Sequence, residues 1–246
     1  MKRTSVLVIR QNGRFSSILR SEGFRVVDLE LIRTLPLEEL GEVDEKISLI
    51  NNYDGLFFTS QMAARVFGER LKTKWPDYAG KIFVLGERAK AVLETFGFDV
   101  VHQSSANTAA ELIRSLESSE VAGKHFLFVR GEMSLRAIPE MLQGVAEIDE
   151  VIVYRTVDAD LADADIETMQ QRLDAGEFDT ICFFSPSGVE RFRKLFSLEN
   201  ASEIRVAAIG ETTAGSADGM NVSFISRTTN AEDFARDLAK HIKNIE

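Results

Sequence analysis

Cysteine is nearly absent. The single residue, Cys182, stands inside the apolar run Ile181-Cys182-Phe183-Phe184, so no disulfide framework and no thiolate metal cluster can be built within one chain. There it reads as a small buried hydrophobe. Histidine is scarce too: His102, His125 and His241 show neither ligand spacing nor a carboxylate arrangement, so no metal and no Ser-His-Asp triad is expected. Positive charge is short, with 29 Lys and Arg against 39 Asp and Glu, a formal net charge of -10 and a pI near 5.0. Without a diffuse basic surface, nucleic acid and anionic membrane are not expected partners, and any anionic ligand must be held by local donors. Long hydrophobic runs are missing as well. Met1-Lys2-Arg3 precedes Val6 to Ile9, but that stretch is far too short for a signal-peptide core or a membrane span, and a cytoplasmic location is expected. There is no G-x-G-x-x-G, no P-loop and no G-x-S-x-G around Ser60 or Ser185, which argues against nucleotide phosphates and an activated serine. The acidic run Asp158 to Asp165 reads as a solvated linker or the first turn of a helix.

What remains is ordinary globular composition, 44% hydrophobic and 28% charged over 246 residues, enough for two modest cores. Short apolar runs recur at Val6–Ile9, Val26–Leu29, Leu56–Phe58, Ile82–Leu85, Phe126–Val129, Ile181–Phe184, Val206–Ile209 and Val222–Ile225. Between them, apolar residues return at helical spacing, as in Val189, Phe192, Leu195 and Phe196, or in Val92, Leu93 and Phe96 before Gly97. Buried parallel strands alternating with amphipathic helices predict an α/β fold.

The chain also repeats itself. Tyr53-Asp54-Gly55-Leu56-Phe57-Phe58-Thr59-Ser60 aligns with Phe178-Asp179-Thr180-Ile181-Cys182-Phe183-Phe184-Ser185, Leu85-Gly86-Glu87 with Ile209-Gly210-Glu211, and Ala109-Ala110-Glu111-Leu112 with Ala231-Glu232-Asp233-Phe234. A second pair of units appears in permuted order: Val8-Ile9-Arg10 through Arg33-Thr34 resembles Phe128-Val129-Arg130 through Arg155-Thr156. This predicts two similar parallel-sheet, three-layer domains. One is discontinuous, residues 1–33 and 157–246, and the other, 37–150, is inserted into it. The connectors, about 29–36 and 151–157, contain the β-rich segments Leu29–Arg33, followed by Pro36, and Val151–Thr156. They are expected to run as two adjacent extended strands that act as a hinge beside a cleft. Ligands of open α/β sheets bind at the C-terminal ends of strands.

Several strand ends carry small polar residues: Thr59-Ser60, Ser185-Pro186-Ser187-Gly188 and Gly210-Glu211-Thr212-Thr213. Ser185 before Pro186 reads as an N-cap, and Ser187-x-x-Glu190 as a capping box. The same turns leave backbone N–H groups at positive helix ends, suited to carboxylates. Capping and anion binding are compatible, and both readings stand.

In order and spacing, Phe58-Thr59-Ser60, Val84-Leu85-Gly86-Glu87, Val129-Arg130-Gly131-Glu132, Val153-Tyr154-Arg155-Thr156, Phe184-Ser185-Pro186-Ser187 and Ala208-Ile209-Gly210-Glu211-Thr212-Thr213-Ala214 resemble the uroporphyrinogen-III synthase family over nearly the whole chain. The resemblance implies a cofactor-free lyase of haem biosynthesis. It would cyclise hydroxymethylbilane, a linear polycarboxylate tetrapyrrole, with loss of water and inversion of ring D, and a monomer would suffice. It implies a catalytic role for Tyr154, whose phenol could donate a proton to the departing hydroxyl. Substrate binding would fall to Thr59, Ser60, Gly86, Gly131, Ser185, Ser187, Gly210, Thr212 and Thr213, with Arg10 and Arg130 as carboxylate clamps. Two positions depart from the family pattern: Ala89, where a threonine is usual, and Gln11, where a proline follows the Thr-Arg pair. A non-catalytic two-domain binding protein and a regulatory homologue are the alternatives.

Overall fold

The computed structural model describes residues 4–10, 13–102, 106, 108–199, 203–228 and 230–245. Gln11 lies outside them. All eight apolar runs lie on strands, and none overshoots its strand by more than one residue. The strands are β1 (Ser5–Ile9), β2 (Arg25–Asp28), β3 (Ile32–Pro36), β4 (Gly55–Phe58), β5 (Lys81–Val84), β6 (Val101–His102), β7 (His125–Gly131), β8 (Glu147–Asp158), β9 (Thr180–Phe183), β10 (Arg205–Ala208) and β11 (Val222–Ile225). The helices are α1 (Arg14–Ser21), α2 (Gly41–Ser48), α3 (Gln61–Lys74), α4 (Glu87–Thr95), α5 (Ala109–Arg114), α6 (Ser118–Val121), α7 (Ala137–Leu142), α8 (Asp163–Asp174), α9 (Pro186–Leu195), α10 (Glu211–Ser216) and α11 (Ala231–Ile245). Among the described residues, no helix is long and apolar enough to cross a membrane.

The chain divides into two compact units, Met1–Arg33 with Asp158–Glu246, and Thr34–Val157. The first is built on a five-stranded sheet in the order β11-β10-β9-β1-β2, parallel at every junction. Because alternate residues of a strand face opposite ways, Leu7, Ile9, Ile181, Phe183 and Val206 pack with Met169, Leu173, Val189 and Phe192 on one side. Val6, Val8, Cys182 and Ala207 pack with Phe15, Leu19, Phe234 and Leu238 on the other. Cys182 is fully buried, and burial pushes its thiol pKa up, as suits an inert core residue. The acidic run also has a place. Asp163 and Asp165 lie in the first turn of α8, where they complement the helix dipole, and Asp158 pairs with Arg191 at 3.0 Å.

The second unit carries a six-stranded sheet in the order β3-β8-β7-β4-β5-β6, parallel from β8 to β6. Leu56, Phe58, Ile82, Val84, Leu127 and Val129 meet Val43, Ile47, Phe67, Leu71 and Leu93 on one face. Phe57, Phe83, Phe126 and Phe128 meet Leu112, Ile113, Ile138 and Leu142 on the other. The segment read as β-rich over Leu29–Arg33 forms its strand later, at Ile32–Pro36. Leu31 is instead buried in the first unit's core, and its carbonyl accepts from Ala159 N at 2.9 Å. Pro36 ends β3 at an outer position of the sheet, where a missing N–H leaves no ladder gap.

Each unit starts one strand with an aspartate clasp. Asp179, just before β9, accepts from Ser5 N at 2.7 Å and donates its own N–H to Ser5 O at 2.9 Å. Asp54, just before β4, accepts from His125 N at 2.9 Å and donates to His125 O at 2.7 Å. In both cases the partner is the first residue of the neighbouring strand. The His125 N–H, then the Lys124 ammonium, hold the Asp54 carboxyl below its usual range.

Candidate functional site

Parallel strands end together, so the sheet order decides which turns share an edge. In the first unit β1, β9 and β10 are neighbours, which puts Arg10, Ser185 to Ser187 and Gly210 to Thr213 along one edge. Ser185 has the extended backbone of an N-cap, and its Oγ accepts from Gly188 N at 3.1 Å. Pro186 occupies the first helical turn, where its lack of an N–H and its fixed φ cost nothing. The capping box expected at Ser187 and Glu190 is therefore corrected. The helix has already begun at Pro186, Ser187 lies within its first turn, and Ser187 Oγ stands 3.2 Å from Ser185 Oγ.

Gly210 precedes α10 with no side chain to cap it. The first-turn N–H groups there have no partner within the helix. The two threonines that follow diverge: Thr212 is exposed, whereas Thr213 is turned into the core at 4% exposure. Of the two, only the Thr212 side chain is open to solvent at this edge. The guanidinium of Arg10 lies 4.4 Å from the centre of the Phe184 ring, a cation–π contact that orients the side chain.

In the second unit β8, β7, β4 and β5 are consecutive in the sheet, which aligns Tyr154, Arg130, Gly131, Thr59, Ser60 and Gly86. Ser60 caps α3, its Oγ accepting from Ala63 N at 3.1 Å. Gly86 precedes α4 with φ +86° and ψ 136°, a conformation open in practice only to glycine. Ala89 is buried at 2% in the adjoining core, so the departure at this position removes a hydroxyl from the inner face of α4, not from the exposed turn.

Tyr154 and Gly131 form the tightest association among these residues. The ladder between β7 and β8 shifts register between Arg130 and Gly131, leaving Gly131 opposite Tyr154. The Tyr154 ring lies against the Gly131 backbone, so closely that a Cβ on Gly131 would fall 2.7 Å from the phenol oxygen and closer still to the ring. The turn beyond is pinned by Gly131 N donating to Ser134 Oγ at 3.0 Å, by Ser134 N donating to Gly131 O at 3.1 Å and by Glu132 N donating to Tyr154 O at 3.0 Å.

Arg130 is mostly buried, with 13% of its side chain exposed. Its Nη1 donates to Gly131 O and Glu132 O at 2.9 and 3.0 Å. Its Nε stands 2.5 Å from Glu150 Oε2, a charge contact without hydrogen-bond alignment. Arg136 reaches the other Glu150 oxygen at 2.5 Å. Arg130 is thus committed to the turn that carries Gly131. Sequence reading missed Ser134 and Glu150 because their partners come from a bulge and from a neighbouring strand; the only local signal is a hydroxyl three residues after Gly131.

The family model described as "Uroporphyrinogen-III synthase HemD" matches residues 13–236. The chain is 29% identical over 252 residues to the uroporphyrinogen-III synthase of Chlorobaculum parvum, covering 97% of this chain and 99% of the relative. It is 25% identical over 217 residues to that of Synechococcus elongatus, covering 83% and 80%. Its fold is similar to the crystal structure of uroporphyrinogen-III synthetase from Helicobacter pylori, with a TM-score of 0.63, 20% identity and coverage of 98% and 99%. It is also similar to a mutant uroporphyrinogen III synthase from Thermus thermophilus, with a TM-score of 0.62, 14% identity and coverage of 98% and 99%.

Proposed function

The chain belongs to the uroporphyrinogen-III synthase family, and from that premise we propose that it cyclises linear hydroxymethylbilane to uroporphyrinogen III, inverting ring D and releasing water. The observation that carries this reading is the family match over residues 13–236. The chemistry needs little besides positioning. The terminal hydroxyl leaves with a proton as water, giving an azafulvene; ring D attacks through a substituted carbon to form a spiro intermediate, which fragments and recloses with the ring reversed. Nothing is oxidised or reduced, so no redox cofactor enters. Closure without inversion is the competing spontaneous route, and the protein's task is to hold both ends of the substrate in the geometry that favours the spiro path.

Tyr154 supplies the proton to the departing hydroxyl. Its support is the contact with Gly131, which fixes the ring at a strand-end turn and leaves no room for a larger residue. Ser60, Gly86, Ser185, Gly210 and Thr212, with Thr59, Ser187 and the Thr213 backbone, offer N–H groups and hydroxyls to the substrate's carboxylates. Arg10 adds positive charge. Arg130 acts by shaping the Gly131 turn, since its guanidinium is engaged with Glu150 and two carbonyls. Strand β3 lies beside β8 in the sheet order, and these two strands carry the chain's crossings between units. In this reading they form the hinge, and one substrate bridging both sets of strand ends favours closure.

Incubation with freshly prepared hydroxymethylbilane, followed by separation of the type I and type III isomers, tests the proposal. Type III above the spontaneous background is the expected result, and only type I would refute it. Tyr154→Phe is expected to lower kcat about 100-fold with little change in KM; unchanged kcat would remove the proton-donor role alone.

A further inference from the structure

The opposite edge of the second unit's sheet carries an arrangement that the proposed synthase chemistry does not use. The parallel register sets His125, the first residue of β7, opposite Glu147, the first residue of β8. Asp149, two residues on, shares the face of Glu147. His125 Nε2 stands 3.5 Å from Asp149 Oδ1 and 4.0 Å from Glu147 Oε1, and the three donor atoms all lie within 4.8 Å of one another. The other Asp149 oxygen is already held, accepting from Lys46 Nζ at 2.6 Å and from Tyr53 OH at 2.7 Å. The Tyr53 ring packs 4.8 Å from the imidazole.

His125 Nε2 is enclosed and makes no aligned hydrogen bond. Carboxylate oxygens only accept, so a ring nitrogen facing two of them must present a proton or share a cation with them. The separation of 3.5 Å is long for a charge-assisted N–H···O bond, which runs about 2.7–2.9 Å. It fits two ligands on one tetrahedral metal, which lie roughly 3.4 Å apart at bond lengths of about 2.1 Å. Glu147, 76% exposed, can close the remaining distance by a side-chain rotation. The hold of Lys46 and Tyr53 on the outer oxygen of Asp149 is the kind of support that orients a ligating carboxylate. The two carboxylates outnumber the one ammonium beside them.

We propose that His125, Glu147 and Asp149 form a binding site for a borderline divalent cation of the zinc type, joining the starts of β7 and β8, with a fourth position open to water. Mixed nitrogen and oxygen donors favour zinc or cobalt over magnesium or calcium. The site was invisible to a search for histidine spacing, because its donors sit on two strands and meet only through the sheet register. It stands apart from the synthase reading and does not depend on it.

Untagged full-length protein titrated with zinc chloride in a calorimeter tests the site. One equivalent is expected to bind at micromolar or tighter affinity and to raise Tm by about 5 °C at saturation, and cobalt should give the visible absorption of a tetrahedral ion. His125→Gln should weaken zinc binding about 100-fold and Glu147→Gln about 10-fold, while His241→Gln leaves it unchanged. Lys46→Met, which removes one of the two supports of Asp149, should weaken it about 10-fold. Far-UV circular dichroism checks that each variant folds, and Glu147→Gln, an exposed change, keeps the test open if His125→Gln does not. Equal affinity in wild type and Glu147→Gln, or no binding below millimolar zinc, would overturn the proposal and leave His125 sharing only a proton with Asp149.

Discussion

The two units solve the same packing problem with the bulk in opposite layers. In the inserted unit one sheet face is paved with Phe57, Phe83, Phe126 and Phe128, with ring centres of Phe57 and Phe83 4.9 Å apart and those of Phe57 and Phe126 5.1 Å apart, and the helices over it supply aliphatic side chains. In the discontinuous unit the face built from Val6, Val8, Cys182 and Ala207 is small, and the helices bring Phe15 and Phe234, whose rings meet Phe184 at 4.8 and 5.4 Å. Phe57 and Cys182 each stand third in a fully buried four-residue strand, β4 and β9. Interiors demand constant density, and which layer provides the volume is free to vary.

The largest expected effect breaks this trade directly. Phe57→Ala should cost about 3–5 kcal/mol, because the residue is fully buried among rigid rings. Cys182→Ala should cost about 1 kcal/mol, since it removes one atom. Urea unfolding of both variants measures the contrast, and equal losses would show that the bulk is not divided as described.

Glycines at the strand ends sharpen the comparison. Gly86→Ala should destabilise by about 1–3 kcal/mol, because φ +86° is strained for any residue with a Cβ. Gly210→Ala should leave Tm within a degree or so, since φ 177° is extended backbone and no atom of the described residues lies within 4 Å of the added carbon. If Gly210→Ala also raises KM, the turn meets substrate; unchanged KM would remove it from the binding surface.

The aspartate clasps should be closer to equal. Asp54→Ala and Asp179→Ala each remove a charge-assisted bond to a strand-starting N–H, worth about 1.5–3 kcal/mol where buried and less here because both are partly open to water. Differential scanning calorimetry of the pair reads the difference.

The smallest effect concerns acid. The Lys46 ammonium, then the Tyr53 hydroxyl, hold the Asp149 carboxyl at about 2, below its ordinary 3.8. A carboxyl depressed on folding stabilises above its unfolded pKa and loses that contribution as pH falls towards the folded value. About 1 kcal/mol, discounted for partial exposure, should therefore disappear between pH 4 and pH 2. Asp149→Asn should flatten the acid limb of the stability curve in that window; an unchanged limb would show that the carboxyl is not paired in solution.

Much of the fold was legible because buried parallel strands are continuous apolar runs, whatever surrounds them. β6, two residues long, carries no such run and escaped notice. β3 was placed too early because Leu29 and Leu31 are apolar for another reason: both pack in the first unit's core. At the candidate site, capping chemistry at Ser60 and Ser185 is local and could be read from single turns. The inward turn of Thr213, the engagement of Arg130 with Glu150 and the meeting of Tyr154 with Gly131 arise from helix phase or sheet register, which no linear spacing displays.

The order of strands in the discontinuous unit bears on how the protein is made. β1 lies between β9 and β2, so one of its two neighbours is encoded next to it and the other only after the whole of the inserted unit. Thr34–Val157 is contiguous and can complete its sheet during synthesis, while Ser5–Ile9, which can pair early only with Arg25–Asp28, waits with its other edge open until Thr180–Phe183 emerges. Slow translation beyond Val157 lengthens that wait, and with it the time nascent chains have to associate wrongly or to need a chaperone.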